Sequence, residues 1–230
     1  MRILLVGYGK MGHAIERMAQ ERGHTIVMRI DPYSEDACDD SVWQKDFPTT
    51  DVAIEFTTPA TAQNNVNRLL DRRIPVVSGT TGWDISSMQT KSRESGVAFL
   101  WASNFSLGVN LFFAVNAYVK SLLQAYDYRP SITEIHHIHK LDRPSGTAKT
   151  LAEQLGGDVP IESIREGEVP GTHSVLWDSA QDSIELRHTA KSRDGFALGA
   201  VLAAEWLMDK SGPHTMQEVL RLSDLQIPVK

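Results

Sequence analysis

The chain of 230 residues can hold one large domain or two small ones, and its 41% hydrophobic and 23% charged residues are those of an ordinary globular protein. A formal net charge of -6 with no basic block argues against a nucleic-acid partner, and no apolar run reaches the ~18 residues that a membrane span needs. Cys38 is the single cysteine, so no internal disulfide can form; with no signal-peptide pattern at the start, a cytoplasmic, reducing setting is expected.

The first half alternates strand and helix. Residues 3–6 form an apolar run that stops at glycines, so a strand is predicted there. Met11, Ala14, Ile15, Met18 and Ala19 recur at helical spacing, and Gly23 stops that helix. Strands are predicted over 25–30, 51–56, 75–78 and 97–101. Thr58 and Pro59 open a helix as its N-cap and first residue. This rhythm predicts a parallel sheet with helices on both faces. After Leu107 it changes: one apolar helix over 109–125 is followed by strands over 132–138, 163–166, 173–177 and 183–189, broken only by a helix near Thr147. Helices over 196–208 and 215–220 close the chain. The expected fold is α/β, a Rossmann-like parallel-sheet nucleotide domain over 1–107 and 194–230 with an inserted α+β substrate domain over 108–193.

Gly7-Tyr-Gly-Lys-Met-Gly12 is a G-x-G-x-x-G loop between a predicted strand and a predicted helix, the context in which it cradles a dinucleotide pyrophosphate. Gly7 allows the turn, Gly9 a close backbone approach, and Gly12 the packing of helix on strand. Asp31 ends the second strand, where a carboxylate accepts from the ribose hydroxyls of NADH and repels a 2′-phosphate. NADH is therefore the first expectation. Lys10, and Arg29 nearby, keep NADPH open as a second cofactor.

Glu134-Ile-His-His-Ile-His-Lys-Leu-Asp-Arg-Pro-Ser-Gly-Thr-Ala148 is the densest cluster of chemistry in the chain. A histidine releases a proton near neutral pH without a large shift, so His136, His137 or His139 suits a general acid. On a regular strand His136 and His137 face opposite ways, and the three cannot share one task. Lys140 can bind a carboxylate, or hold a neighbouring group acidic through its charge. Ser145 or Thr147 can cap the helix that follows, and the free N–H groups of such an end attract carboxylates. The bland alternative is a polar strand edge before an ordinary cap. Zinc is disfavoured, because the one cysteine is remote and the histidine spacing is not a helical H-x-x-x-H; no metal is expected.

The same segment matches E-x-H-x-x-x-K-x-D-x-P-S-G-T-A at Glu134, His136, Lys140, Asp142, Pro144, Ser145, Gly146, Thr147 and Ala148. With the glycine loop, Gly79-Thr-Thr-Gly82, Asn104-Phe-Ser-Leu-Gly-Val-Asn110, Arg165-Glu-Gly167, Gly171-Thr-His173 and Arg193-Asp-Gly-Phe-Ala-Leu-Gly-Ala200, the chain resembles the 4-hydroxy-tetrahydrodipicolinate (dihydrodipicolinate) reductase family over nearly its whole length. The resemblance implies NAD(P)H-dependent reduction of 4-hydroxy-tetrahydrodipicolinate to tetrahydrodipicolinate, with loss of water, in lysine and diaminopimelate synthesis. It implies a homotetramer acting on a small dicarboxylate. It makes His136 the proton donor with Lys140 as its acidic partner, and puts the substrate on His137, Ser145, Gly146 and Thr147. The cofactor would lie along Gly7, Gly9, Lys10, Met11, Gly12, Asp31, Gly79, Thr80, Thr81, Ala102, Ser103, Asn104 and Phe105. Two departures stand out: a short stretch between the second and third strands, where cofactor preference is partly set, and Arg143 where many relatives carry a small residue. The competing readings are an aspartate-type amino-acid dehydrogenase, which does not need the string from Lys140 to Ala148, and a non-enzymatic NAD(H) sensor, for which no DNA-binding segment is visible.

Overall fold

A computed structural model describes residues 1–38, 43 and 47–222. By internal contacts the chain divides into Met1–Leu107 with Phe196–Lys230, and Gly108–Gly195. The first unit carries β1 (Arg2–Val6), α1 (Lys10–Glu21), β2 (Thr25–Ile30), β3 (Val52–Glu55), α2 (Pro59–Asp71), β4 (Val76–Ser78), α3 (Ser86–Ser95) and β5 (Phe99–Trp101). Late in the chain α6 (Asp194–Leu207), β10 (Pro213–His214) and α7 (Met216–Val219) complete it. Its strands are all parallel, in the order β10-β5-β4-β3-β1-β2.

Two-residue periodicity explains why this sheet is buried on both faces. In β1, Ile3 and Leu5 join one apolar cluster while Leu4 and Val6 join the other; in β3, Val52 and Ile54 part from Ala53 in the same way. One face is covered by Ala14, Ile15 and Ala19 of α1 and by the small residues Ala197, Ala200, Ala203 and Ala204 of α6. The other is covered by Val66, Leu69 and Leu70 of α2 and Met88 of α3. Thr58 is the N-cap of α2 with Pro59 at its start, as the sequence predicts.

The second unit contains α4 (Leu107–Leu123), β6 (Arg129–His136), α5 (Gly146–Leu155), β7 (Ile161–Arg165), β8 (Thr172–Asp178) and β9 (Ser183–Thr189). Its sheet runs β7-β6-β8-β9, with β6 parallel to β7 and the other pairs antiparallel. Phe112, Ile132, Leu151, Leu155, Val175 and Trp177 build its core. Along β6 the buried positions are Ile132, Glu134 and His136, which therefore share one face, while His137 falls outside the strand.

Three expectations change. The strand predicted over 132–138 stops at His136, because its ladder to β7 ends at the His136–Arg165 pair and Lys140 N–H then turns back to His137 O. Helix α3 was not foreseen from the sequence, since it buries only Met88 and Ser92 and has almost no apolar period. The two-residue β10 is likewise too short to show a pattern. Residues 39–42 and 44–46, between β2 and β3 where the sequence locates part of the cofactor preference, lie outside the described residues, as do 223–230 of the predicted nucleotide domain. Among the described residues no helix is long and apolar enough to cross a membrane.

Candidate active site

In the first unit the strand order reverses between β1 and β3, the place where open parallel sheets take ligands beyond the strand ends. A pocket of about 310 Å³ lies there. Gly9, Lys10 and Met11 line it from the first loop, Phe56, Thr57 and Pro59 from the second, and Gly79, Thr80 and Thr81 from the third. Gly7 has φ +91°, and a Cβ on it would come within 1.9 Å of Phe56 O, so no other residue fits the turn. Gly9 is different: a Cβ there would meet nothing within 4 Å. Gly9 is also the N-cap of α1, with no side-chain cap and no acidic residue in the first turn. Open space before uncapped N–H groups is what a dinucleotide pyrophosphate requires, so these residues fit the cofactor that the loop implies.

Asp31 is half-buried after β2. Its Oδ2 accepts from Tyr8 N–H at 2.7 Å and its Oδ1 from Tyr33 N–H at 2.9 Å, so it also holds the glycine loop in place. Arg29, one of the two cations that keep NADPH open in the sequence, is engaged by Glu16: its Nε donates to Oε2 at 2.8 Å and its Nη2 contacts Oε1. Lys10 is exposed at the pocket. Ala102, Ser103, Asn104 and Phe105 follow β5 at the same edge of the sheet but outside the pocket lining. Phe105 is 2% exposed, with its ring 5.6 Å from that of Phe56, so its side chain belongs to the core. The Thr80 side chain also turns inward.

What Thr80 meets is a carboxylate that sequence reasoning passed over. Glu55, the last residue of β3, is fully buried, and among the described residues no cation pairs with it. It accepts from Thr80 Oγ1 at 2.8 Å, Ser78 Oγ at 2.5 Å, Thr57 Oγ1 at 2.5 Å and Thr57 N–H at 3.1 Å. Burial pushes its pKa up, and the hydroxyl donors oppose that. One carboxylate thus ties the second and third pocket loops together. The visible signal was a charged residue ending an apolar strand.

In the second unit, His136 and Glu134 stand side by side on the buried face of β6. His136 Nδ1 lies against Glu134 Oε2, an ion pair when the imidazole is protonated, and both side chains are nearly inaccessible. Glu134 Oε1 accepts from Arg165 Nη2 at 3.0 Å and from Ser145 N–H at 3.3 Å. Burial acts to raise the pKa of Glu134, but the Ser163 and Arg165 side chains and the charge of His136 outweigh it and hold the group below the usual carboxylate range. Burial lowers His136; Glu134 resists, while Lys140 and Arg165 add to the lowering. The His173 ring meets that of His136 edge-on with centroids 5.0 Å apart, and burial pushes its pKa down to about 4, so it is neutral at pH 7.

Ser145 caps α5 by accepting from Ala148 N–H at 3.2 Å, and its Oγ lies 3.1 Å from His173 Nε2. Gly146 is exposed and Thr147 half-buried in the first turn of that helix, which carries no acidic residue. An anion is favoured there. Lys140 Nζ lies 2.6 Å from Asp142 Oδ1, a surface pair that a stronger anion can displace. Arg165 organises the segment: Nε donates to Lys140 O at 3.3 Å and Nη2 to Asp142 O at 2.6 Å. Arg143 Nη2 donates to Ser163 O. His137 is half-buried beyond the strand end, its ring centroid 5.9 Å from that of His139, and His139 pairs with Glu168 at 2.9 Å. Glu134, His136 and His173 bring ligand-type atoms within 4.8 Å of one another. A cation there would have to separate His136 from Glu134 and face the Arg165 guanidinium, so the donor set favours proton handling over metal binding. Glu134, Arg165 and His173 were visible in sequence only as members of matching segments; their meeting is tertiary.

A parallel sheet with an uncapped glycine loop at its switch point, and a second sheet with a buried histidine beside a helix start, are the parts expected of a nicotinamide-dependent oxidoreductase. Residues 1–105 match the family model described as dihydrodipicolinate reductase, N-terminus, and residues 108–220 the one for its C-terminus. The chain is 46% identical to 4-hydroxy-tetrahydrodipicolinate reductase of Christiangramia forsetii over 98% of its own length and 99% of that protein's. It is 34% identical to the enzyme of Thermosipho africanus over 96% and 98%. Among solved structures, dipicolinate-bound dihydrodipicolinate reductase from Paenisporosarcina sp. TG-14 superposes with a TM-score of 0.77 at 20% identity, covering 95% of this chain and 98% of that one. A probable dehydrogenase from Thermotoga maritima shares the fold at a TM-score of 0.67 and 10% identity, over 97% and 95%. The chain belongs to the 4-hydroxy-tetrahydrodipicolinate reductase family, NAD(P)H-dependent oxidoreductases of lysine biosynthesis. That membership does not favour the aspartate-type dehydrogenase or the sensor.

Proposed function

We propose that this protein reduces 4-hydroxy-tetrahydrodipicolinate to tetrahydrodipicolinate with His136 as the proton donor. The observation that carries the assignment is the buried His136, set against Glu134 and beside the helix start at Ser145. A bound nicotinamide supplies the hydride. The 4-hydroxyl leaves as water to give the unsaturated, conjugated ring that takes the hydride, and His136 delivers a proton to the adjacent ring carbon. Lys140, His137, Ser145, Gly146 and Thr147 hold the two substrate carboxylates, the lysine by charge and the helix start through its N–H groups. Gly7, Gly9, Lys10, Met11, Gly12, Asp31, Gly79, Thr80, Thr81 and the 102–105 segment hold the cofactor, Thr80 and Phe105 by shaping its loops. Residues 1–107 with 194–230 act as the dinucleotide domain, and 108–193 as the substrate and oligomerisation domain of a cytoplasmic homotetramer. The test is oxidation of NADH by the condensation product of pyruvate and aspartate semialdehyde, repeated with NADPH. No turnover with either overturns the reading.

NADH is the preferred cofactor in this reading, because Asp31 faces the ribose side and Arg29 is held by Glu16. Asp31→Ser is expected to lower the NADH-to-NADPH ratio of kcat/KM by about tenfold or more, the equivalent of one charged hydrogen bond at ~1.5 kcal/mol. The loss of the Tyr8 and Tyr33 contacts strikes both cofactors and cancels in the ratio. An unchanged ratio excludes Asp31 as the selector.

Pyridine-2,6-dicarboxylate, a planar dianion, is expected to compete with substrate. Lys140→Ala should weaken it by about 1.5–3 kcal/mol, the range for a hydrogen bond to a charged group, while leaving NADH affinity unaltered. Equal inhibition of the variant and the parent would reduce the 140–147 segment to a helix cap.

A further inference from the structure

We propose that Glu134 is the positioning residue of the site: its two carboxylate oxygens lock the proton donor and the anion-binding helix start into one geometry, with Arg165 as the clamp that holds it. Oε2 faces His136 Nδ1, and Oε1 takes both Ser145 N–H at 3.3 Å and Arg165 Nη2 at 3.0 Å. The inference rests on His136 being the proton donor.

A carboxylate against Nδ1 keeps a proton on that nitrogen, so Nε2 becomes the atom that exchanges protons. The Nε2 edge is left uncovered by Gly171, where a Cβ would approach to 3.0 Å and where φ is +150°. In the reaction the imidazolium gives its Nε2 proton to the substrate carbon, returns to the neutral Nδ1–H form, and regains a proton from water. The groups facing His136 are Glu134 on its own strand, Lys140 on the loop beyond it, Arg165 on β7 and His173 on β8, the last backed by His188 on β9. Only Glu134 among them favours the imidazolium. Burial and the two cations work against it, and His173 is neutral. Arg165 also bonds Lys140 O and Asp142 O, so the same clamp holds the segment that carries the substrate lysine.

The sign follows from these charges. A general acid must be protonated, so kcat/KM falls as pH rises through the His136 pKa. Without Glu134 the imidazolium loses its one favourable partner. The falling limb of Glu134→Gln should move to lower pH by about 1–3 units, the usual effect of one close opposite charge. Arg165→Gln removes a repelling charge and should move the limb the other way. A purely structural role would lower the rate or the thermal stability in both variants without moving the limbs in opposite directions. In parallel, nitrogen NMR of the histidine rings in the whole protein should find His136 as the Nδ1–H tautomer at neutral pH, and a loss of that preference in Glu134→Gln. Limbs that stay in place, or an unchanged tautomer, overturn the inference. His136→Ala is the separate control: wild-type kcat in that variant removes His136 as donor, whereas a slow His136→Ala beside unmoved limbs removes Glu134 alone.

Discussion

Replacing His136 with alanine is expected to lower kcat by about 10²–10⁴-fold, the usual contribution of a positioned acid, with NADH affinity nearly intact. The split arises from the fold. His136 stands on β6 in the second unit, whereas the glycine loop proposed to hold the pyrophosphate follows β1 in the first, so the substitution leaves that loop's own residues unchanged. The lost imidazole leaves Glu134 Oε1 with Arg165 Nη2 and Ser145 N–H, so the buried carboxylate keeps its counter-charge. Pre-steady-state turnover and NADH fluorescence titration measure the two halves separately. Wild-type kcat in the variant would shift the proton to another group, and the other histidines near this strand are unequal replacements. His173 is neutral at pH 7 and already bonds Ser145, and His139 is held outside by Glu168.

The parts of this molecule that were legible in sequence are those written in local pattern. Runs such as residues 3–6 and 25–30, the glycine loop and the Thr58-Pro59 start announce themselves because burial on two faces and helix capping act on neighbours in the chain. Helix α3 escaped because its stability comes from Met88 and Ser92 meeting the rest of the unit, not from an apolar stripe. The 137–139 stretch continues the apolar and polar alternation of a strand, yet the regular ladder ends at the His136–Arg165 pair: one more bond, Ile138 N–H to Gly167 O at 3.1 Å, follows before Lys140 N–H turns the chain back onto His137 O. Site residues divide in the same way. His136, Lys140 and Ser145 lie in one short segment and could be read together. Glu55 takes hydroxyls from Thr57, Ser78 and Thr80, and Arg165 reaches back to Glu134, Lys140 and Asp142; such partners meet only when strands distant in sequence pair. The position of Asp31 at the end of β2 was legible, but its hold on Tyr8 N–H was not, because backbone donors leave no mark in a side-chain pattern.

Gly199→Ala should destabilise the protein by about 3 kcal/mol, the upper part of the usual range for overpacking. Helix propensity alone argues the other way: alanine in a helix interior is better than glycine by ~1 kcal/mol. Position decides. Gly199 sits in α6 on the face that packs against the sheet, and a Cβ there would lie 1.8 Å from Phe105 O and 2.9 Å from its carbonyl carbon. That obstacle is backbone, held by a Phe105 side chain that is 2% exposed, and it cannot rotate away. The helix must therefore lift from a core in which Ala197, Ala200, Val201, Ala203, Ala204 and Leu207 are all fully buried. For a chain of this size the cost corresponds to a fall in Tm of roughly 6–12 °C. Gly9→Ala makes the opposite case. A Cβ at Gly9 meets nothing within 4 Å, so thermal unfolding should be almost unchanged while NADH binding is lost, the added methyl filling the space before the first turn of α1. The two variants change the same atom count in the same unit, and their effects separate packing from ligand approach. A Gly199→Ala protein as stable as the parent would mean that α6 can slide at little cost, and a Gly9→Ala protein that binds NADH normally would remove the glycine loop from the cofactor site.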